Sequence, residues 1–142
     1  MENKQKKFIM DNITLEYTSD GFDDISENIK NFNQLVNRLE KLKNEAAKKW
    51  DIVFTVDVII ENIGRISIAL NDRSILSFMS EDISMTSLGD INAEGVKAYF
   101  FGAYTEMSNK YIVPYEDGLE AIKFWLENGI PGNQIKWTEE LY

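Results

Sequence analysis

Apolar and polar residues alternate along the middle of the chain, which is the pattern of a half-buried β-strand. The alternation runs through 52–60, 66–70 and 75–79, and turn-forming residues separate the three runs at 62–64 and 71–74. One side of the first run is wholly apolar and consists of Ile52, Phe54, Val56, Val58 and Ile60. Strands joined by such short turns predict an antiparallel meander.

Apolar residues recur at every third or fourth position in two other stretches, which predicts two helices. Asp24 followed by Glu27 resembles a capping box, so the first helix is expected to begin there and to continue to about residue 49. Its apolar stripe consists of Ile25, Ile29, Phe32, Val36, Leu39, Leu42 and Ala46. The second helix is expected from about residue 116 to Gly129, where glycine permits a left-handed end and Pro131 prevents continuation.

The segments between these elements complete the fold prediction. Residues 80–95 are polar and turn-rich and are expected to form a loop, whereas 96–104 predict a fourth, aromatic strand. Residues 111–113, which run into Pro114, are expected to be extended, and 134–137 to form a last edge strand. Together the elements predict an α+β fold in a single domain, 1–142. It has a mostly antiparallel meander sheet with a long N-terminal helix and a C-terminal helix packed on one face.

The net charge of −9 belongs entirely to the last two thirds of the chain. Residues 1–50 hold nine basic and nine acidic side chains, whereas 51–142 hold six and 15. No basic residue lies between Arg73 and Lys97, an interval that contains Glu81, Asp82, Asp90 and Glu94. A localised acidic surface favours a basic partner, although a solvated surface is the simpler interpretation of the composition alone.

The chain has no histidine and no cysteine. The commonest general base, the thiol nucleophile and the usual zinc and copper ligands are therefore absent. Residues 90–95 match the first half of a calcium-binding loop, but position twelve would be Phe101 instead of the glutamate that closes such a site. Phosphate-binding glycine loops and serine hydrolase motifs are also missing. We expect no cofactor and no metal.

The composition also bears on partners and location. A pI of about 4.5 argues against direct binding of nucleic acid or of anionic membranes, because both select clustered lysine and arginine. The apolar run 8–10 is too short for a signal peptide, and 52–60 is too short to span a membrane. The expectation is a cytoplasmic protein without disulfides, for which a monomer is favoured.

Catalysis without histidine would need carboxylates, because a glutamate in an apolar pocket can have a raised pKa. Glu106 follows the aromatic segment 99–104 and is the candidate for such a group. A small carboxylate-dependent enzyme, either a hydrolase or an isomerase, is therefore the alternative function. An exposed carboxylate next to a strand is the simpler interpretation of the same residue.

The C-terminal part of the chain carries an ordered series of residues that are characteristic of one family. They are Gly89, Asp90, Glu94, Gly95, Gly102, Glu106, Val113, Pro114, Ala121, Phe124, Gly129, Pro131 and Trp137. With seven residues between Gly129 and Trp137, the series resembles the bacterial immunity protein family numbered one in polymorphic toxin systems. The resemblance covers roughly residues 50–138.

This resemblance implies an α+β protein that is made beside a secreted toxin, often a nucleic-acid deaminase or nuclease, and that protects the producing cell by binding it. An acidic surface would then occupy the basic substrate cleft of the toxin without any catalysis by the inhibitor. The residues expected to bind the toxin are Glu81, Asp82, Asp90, Glu94, Tyr104 and Glu106.

Gly129 and Trp137 are expected to be structural, with Trp137 packing the last strand against Trp125 or Phe124. A third interpretation keeps the acidic surface but changes the partner: an acidic adaptor, or a nucleic-acid mimic, for an unrelated basic protein.

Overall fold

The computed structural model of the protein describes residues 13–18, 22–47 and 52–142. The strands are β1 (Ile13–Thr18), β2 (Asp24–Ile29), β3 (Val53–Ile60), β4 (Gly64–Ala69), β5 (Arg73–Ser74), β6 (Leu76–Met79), β7 (Ser84–Leu88), β8 (Val96–Phe100), β9 (Tyr104–Ser108), β10 (Val113–Pro114) and β11 (Lys136–Thr138). The helices are α1 (Phe32–Ala47) and α2 (Tyr115–Asn128), and a 3₁₀ turn spans Asn109–Tyr111.

Most of the strands form one large sheet in the order β11, β7, β6, β4, β3, β1, β2, in which every neighbouring pair is antiparallel. Strands β5 and β10 pair with each other in a separate two-stranded sheet. The meander predicted for residues 52–79 is confirmed. A β8–β9 hairpin joins the sheet through β8, which pairs in parallel with the beginning of β3. The predicted α+β class and the mostly antiparallel sheet are therefore confirmed.

The side of the sheet that carries the main core is called here the helix face. Strands β3 and β4 bury Val56, Val58, Ile66 and Ile68 there. The two helices add their apolar stripes to the same cluster, with Leu35, Leu39 and Leu42 from α1 and Leu119, Ile122, Trp125 and Leu126 from α2. The apolar side predicted for 52–60 is thus confirmed, because alternate residues of a strand point to opposite faces.

The opposite side, called the second face, is apolar over only part of its area. A smaller core there contains Ala69, Ile75, Tyr99 and Tyr111, and it lies where β3 meets the β8–β9 hairpin. Further along the same strands this face carries Asp57, Ser67, Ser77 and other polar residues. An antiparallel sheet with one well-covered face is common among α+β folds.

The first helix does not begin at Asp24. Residues Asp24–Ile29 form strand β2, which pairs with β1, and the helix begins at Phe32. Its actual cap is Asn31, whose Oδ1 accepts the Gln34 N–H at 2.8 Å, while Gln34 Oε1 accepts the Lys30 N–H at 2.8 Å. The four-residue spacing of Ile25 and Ile29 fits a strand as well as a helix, so pairing with β1 decided the conformation.

Three further boundaries were predicted wrongly. Tyr111 belongs to the 3₁₀ turn instead of an extended segment. The supposed loop 80–95 contains β7, and the supposed strand 96–104 is interrupted by a turn at 101–103 and continues as β9. Strand β7 escaped prediction because it contains Ser84, Thr86 and the buried Ser87, which leave little apolar alternation.

The second helix and the last strand follow the predictions closely. Helix α2 ends at Gly129, which has a left-handed backbone and donates its N–H to Trp125 O at 2.7 Å. Strand β11 lies at one edge of the sheet. Neither helix of the described ranges is long and apolar enough to cross a membrane. The predicted helix end near 49 and the run 8–10 lie outside the described residues.

Candidate interaction surfaces

The six residues predicted to bind a partner are divided between two ends of the molecule. Glu81 and Asp82 precede β7, whereas Asp90 and Glu94 follow it. A five-residue strand is about 16 Å long, so the two acidic pairs cannot form one compact site. Tyr104 and Glu106 lie on β9.

The loop that carries Asp90 and Glu94 is held against the segment that follows β9. Gly89 donates its N–H to Lys110 O at 2.7 Å, and Gly95 O accepts the Asn109 N–H at 3.0 Å. A Cβ on Gly89 would lie 1.9 Å from Ile112 O, so no larger residue fits this close approach. These contacts fix both ends of the loop next to the open end of the hairpin.

One side of the β8–β9 hairpin forms an exposed surface, which we call the hairpin face. Its residues are Val96, Ala98, Phe100, Tyr104 and Glu106, because residues opposite each other in the pairing lie on the same side. Phe100 stacks on Phe54 at 5.1 Å between ring centroids, so the hairpin face continues the helix face of the sheet. Val96 and Tyr104 are 59% and 60% exposed.

Tyr104 and Glu106 make a polar contact on the hairpin face, since the Tyr104 hydroxyl donates to Glu106 Oε2 at 3.3 Å. Both side chains are exposed. Glu106 is therefore not held in the apolar surroundings that a carboxylic acid catalyst needs. A second carboxylate is not hydrogen-bonded to it in the part of the chain that the structure describes.

Glu81 and Asp82 belong to the turn between β6 and β7. That turn lies beside the turn between β3 and β4, and the two turns line a cavity of about 650 Å³ with Glu61 and Arg65. The sequence did not predict Glu61 as a neighbour of Glu81, because turns far apart in sequence meet only through strand pairing. The acidic group that contains Glu81 and Asp82 therefore also includes Glu61, which was not predicted.

Sequence reasoning also missed an ion-paired cluster on the second face. Asp57 accepts hydrogen bonds from Ser67 Oγ at 2.5 Å and from Arg65 Nη1 at 2.8 Å. The alternation in 52–60 placed Asp57 on the side opposite the core, and this was the available signal. Its two partners come from β4, which lies next to β3.

A second polar network joins α1 to the β1–β2 hairpin. Arg38 donates from Nε to Glu27 Oε1 at 2.7 Å and from Nη2 to Glu27 Oε2 at 2.6 Å, and Glu27 also accepts the Tyr17 hydroxyl. The hydrogen bonds from Arg38 lower the pKa of Glu27. Burial, and then the hydrogen bond to Glu27, raise the pKa of Tyr17. The network holds the helix on the sheet and has no exposed reactive group.

Trp137 has the surroundings of a structural residue. Its Nε1 donates to Gly132 O at 2.8 Å, and its ring packs edge-on against Phe78 at 6.4 Å between centroids. Phe78 in turn packs edge-on against Trp125 at 6.0 Å. The expected packing of Trp137 against α2 is therefore reached through Phe78, which lies between the two indole rings.

In the described ranges, no three Asp or Glu side chains come together in a way that could hold a metal ion. Asp90 Oδ1 instead accepts the Asn92 N–H at 2.9 Å, which is a local turn contact.

No protein-family model matches this chain, and no curated protein is similar to it in sequence. The resemblance to the immunity protein family rests on the residues quoted above and stays a prediction.

Proposed function

We propose that this protein is an immunity protein, which binds a cognate secreted toxin and neutralises it. The observation that carries the proposal is the hairpin face, where the exposed Tyr104 contacts the carboxylate of Glu106 and the exposed Val96 lies further along the same side. The toxin would be a basic protein that acts on nucleic acid, such as a deaminase or a nuclease. The proposal places its neutralisation in the cytoplasm.

The hairpin face has the composition of a binding centre. Tyrosine is frequent among the residues that carry most of the energy of an interface, because it buries a large rigid ring and keeps a hydroxyl for hydrogen bonding. The Tyr104 ring needs no rearrangement to be covered, since it already lies on the surface of a paired strand. Val96 and Ala98 would widen the apolar contact around it.

The acidic loop would add attraction at longer range. Asp90 and Glu94 are exposed and lie next to the open end of the hairpin. Complementary charge raises association rates toward about 10⁸ M⁻¹s⁻¹ at low salt, whereas the buried ring controls dissociation. The two helices are proposed to cover only the helix face, so that they stiffen the sheet without reaching the binding surface.

The alternative of a carboxylate-dependent enzyme centred on Glu106 has less support. The carboxylate of Glu106 is exposed, and it accepts a hydrogen bond from the hydroxyl of Tyr104. Inhibition by binding needs no reactive group, and it is compatible with a chain that has no histidine or cysteine.

The first experiment is co-expression with the toxin encoded beside the gene. The protein should rescue growth, and Tyr104→Ala combined with Glu106→Gln should weaken toxin binding by 100-fold or more. A double variant in the other acidic group, Glu81→Gln with Asp82→Asn, is the control and should keep nearly full protection. Full protection by the hairpin variant would exclude the hairpin face as the binding site.

The rate of association separates the role of the acidic loop from that of the hairpin. Asp90→Lys with Glu94→Lys should slow association by about tenfold at low salt and leave the dissociation rate nearly unchanged. Equal association rates for this variant and the unmodified protein would remove the loop from the model. Loss of a bell-shaped pH profile in Glu106→Gln, in an assay for hydrolysis, would instead support the enzyme alternative.

A further inference from the structure

A second surface lies on the other side of the sheet, where the second face is not covered by the smaller core. Its floor consists of two cross-strand rows, with Ile59, Arg65 and Met79 in one row and Asp57, Ser67 and Ser77 in the other. A cavity of about 420 Å³ lies over the second row, and the 650 Å³ cavity lies over the first. Both cavities are lined by Arg65 and Met79, so they adjoin, and we call the two together the trough.

The trough is bounded at one end by the inner side of the β8–β9 hairpin. Phe101 and Met107 line it there, and both are partly buried against the smaller core. In the middle, Met79 is 49% exposed although it lies on a central part of the sheet. Methionine is flexible and polarisable and is frequent on surfaces that accept varied side chains. The exposed Met79 side chain therefore offers an apolar contact on the floor of the trough, beside the small side chains of Ser67 and Ser77.

The other end of the trough is strongly acidic. Glu61 comes from one turn, and Glu81 and Asp82 from the next. With Asp57 and Arg65, four carboxylates and one guanidinium line the trough, which gives a formal charge of −3. Arg65 is the one basic residue among those that line the trough, and it pairs with Asp57 at 2.8 Å.

We propose that the trough binds an extended, cationic segment of a protein partner. The acidic end selects lysine or arginine, and nucleic acid is excluded by the same charge. The trough follows the strands and is open to solvent along its length, which suits an extended chain better than a small molecule that must be enclosed. The proposal is independent of the immunity function, since the hairpin face lies on the opposite side of the sheet.

Methionine methyl groups report directly on this binding. Met79 and Met107 line the trough, whereas Met85 packs against the main core on the helix face. We would label the methionine methyl groups with ¹³C and titrate an end-capped hexapeptide of alternating arginine and threonine. The Met79 and Met107 signals should shift and saturate, and the Met85 signal should stay in place.

Matched double variants test whether the acidic turn is responsible. Glu81→Gln with Asp82→Asn should weaken binding of the peptide about five- to tenfold. Asp90→Asn with Glu94→Gln also removes two negative charges, but at the other end of β7. This control should change the affinity for the peptide less than twofold. A hexapeptide with glutamate in place of arginine should not bind.

Three results would overturn the proposal. The first is equal loss of affinity in the two double variants, which would mean general attraction to an acidic protein. The second is a Met79 signal that does not move at saturating peptide. The third is a Met79 shift that follows protein concentration without peptide, which would assign the trough to a second copy of this chain.

Discussion

The two faces of the sheet are made by alternate residues of the same strands, yet they have different compositions. On β4, Ile66 and Ile68 are fully buried on the helix face, whereas their neighbours Arg65 and Ser67 point to the second face. The helix face excludes water and supplies most of the stability, because burial of apolar area is the dominant favourable contribution. The second face bears charge and open space, and the proposed trough lies there. Comparable substitutions on the two faces should therefore have very different effects.

The largest contrast is expected between two adjacent residues of β4. Ile68→Ala should lower the free energy of unfolding by about 3 to 4 kcal/mol, because it leaves a cavity in the main core. Ser67→Ala should cost only about 1 kcal/mol, since it removes one hydrogen bond to Asp57. Urea denaturation of both variants measures the difference. A similar loss of unfolding free energy in the two variants would contradict the proposed difference between the two faces.

Trp137 tests how far the helix face extends toward the last strand. Trp137→Ala should lower the free energy of unfolding by about 3 kcal/mol. The substitution removes a partly buried indole ring, together with its packing on Phe78 and its hydrogen bond to Gly132 O. Trp137→Phe keeps part of the ring contact and should cost about half as much. An unchanged melting temperature in the alanine variant would refute a structural role.

The network that joins α1 to the first hairpin should make stability depend on pH. The pKa of Glu27 is lowered in the folded protein, so its contribution is complete above the unfolded-state pKa of about 4.3 and is lost as pH falls through the folded-state value. At neutral pH, Glu27→Gln should cost about 1 to 2 kcal/mol. The difference between the variant and the unmodified protein should shrink in acid; a difference that stays constant down to pH 2 would contradict the ion pair.

The smallest effect on stability is expected on the hairpin face. Tyr104 is exposed, so Tyr104→Ala should change the free energy of unfolding by less than about 0.5 kcal/mol. Loss of binding with unchanged urea denaturation would assign this residue to recognition. A large loss of stability would instead show that its ring supports the hairpin.

The sequence indicated the parts of the fold in which periodicity is strong. The alternation of 52–60 fixed both the strand and the inward side of β3, and Gly129 with Pro131 marked the end of α2. The start of α1 was not predictable in this way, because Ile25 and Ile29 fit either conformation and Glu27 pairs with Arg38 instead of capping a helix. Strand β7 was missed for a related reason, since Ser84, Thr86 and Ser87 leave almost no apolar alternation along it.

By itself, then, the sequence determined composition, charge and local periodicity: an acidic chain without histidine or cysteine, with a central meander and a C-terminal helix. Tertiary structure decided which distant residues meet. It separated Glu81 and Asp82 from Asp90 and Glu94 by the length of β7, and it brought Glu61 to the first pair through strand pairing. The physical reason is that hydrophobic periodicity acts between near neighbours in sequence, whereas surfaces are made by strands that are paired across the sheet.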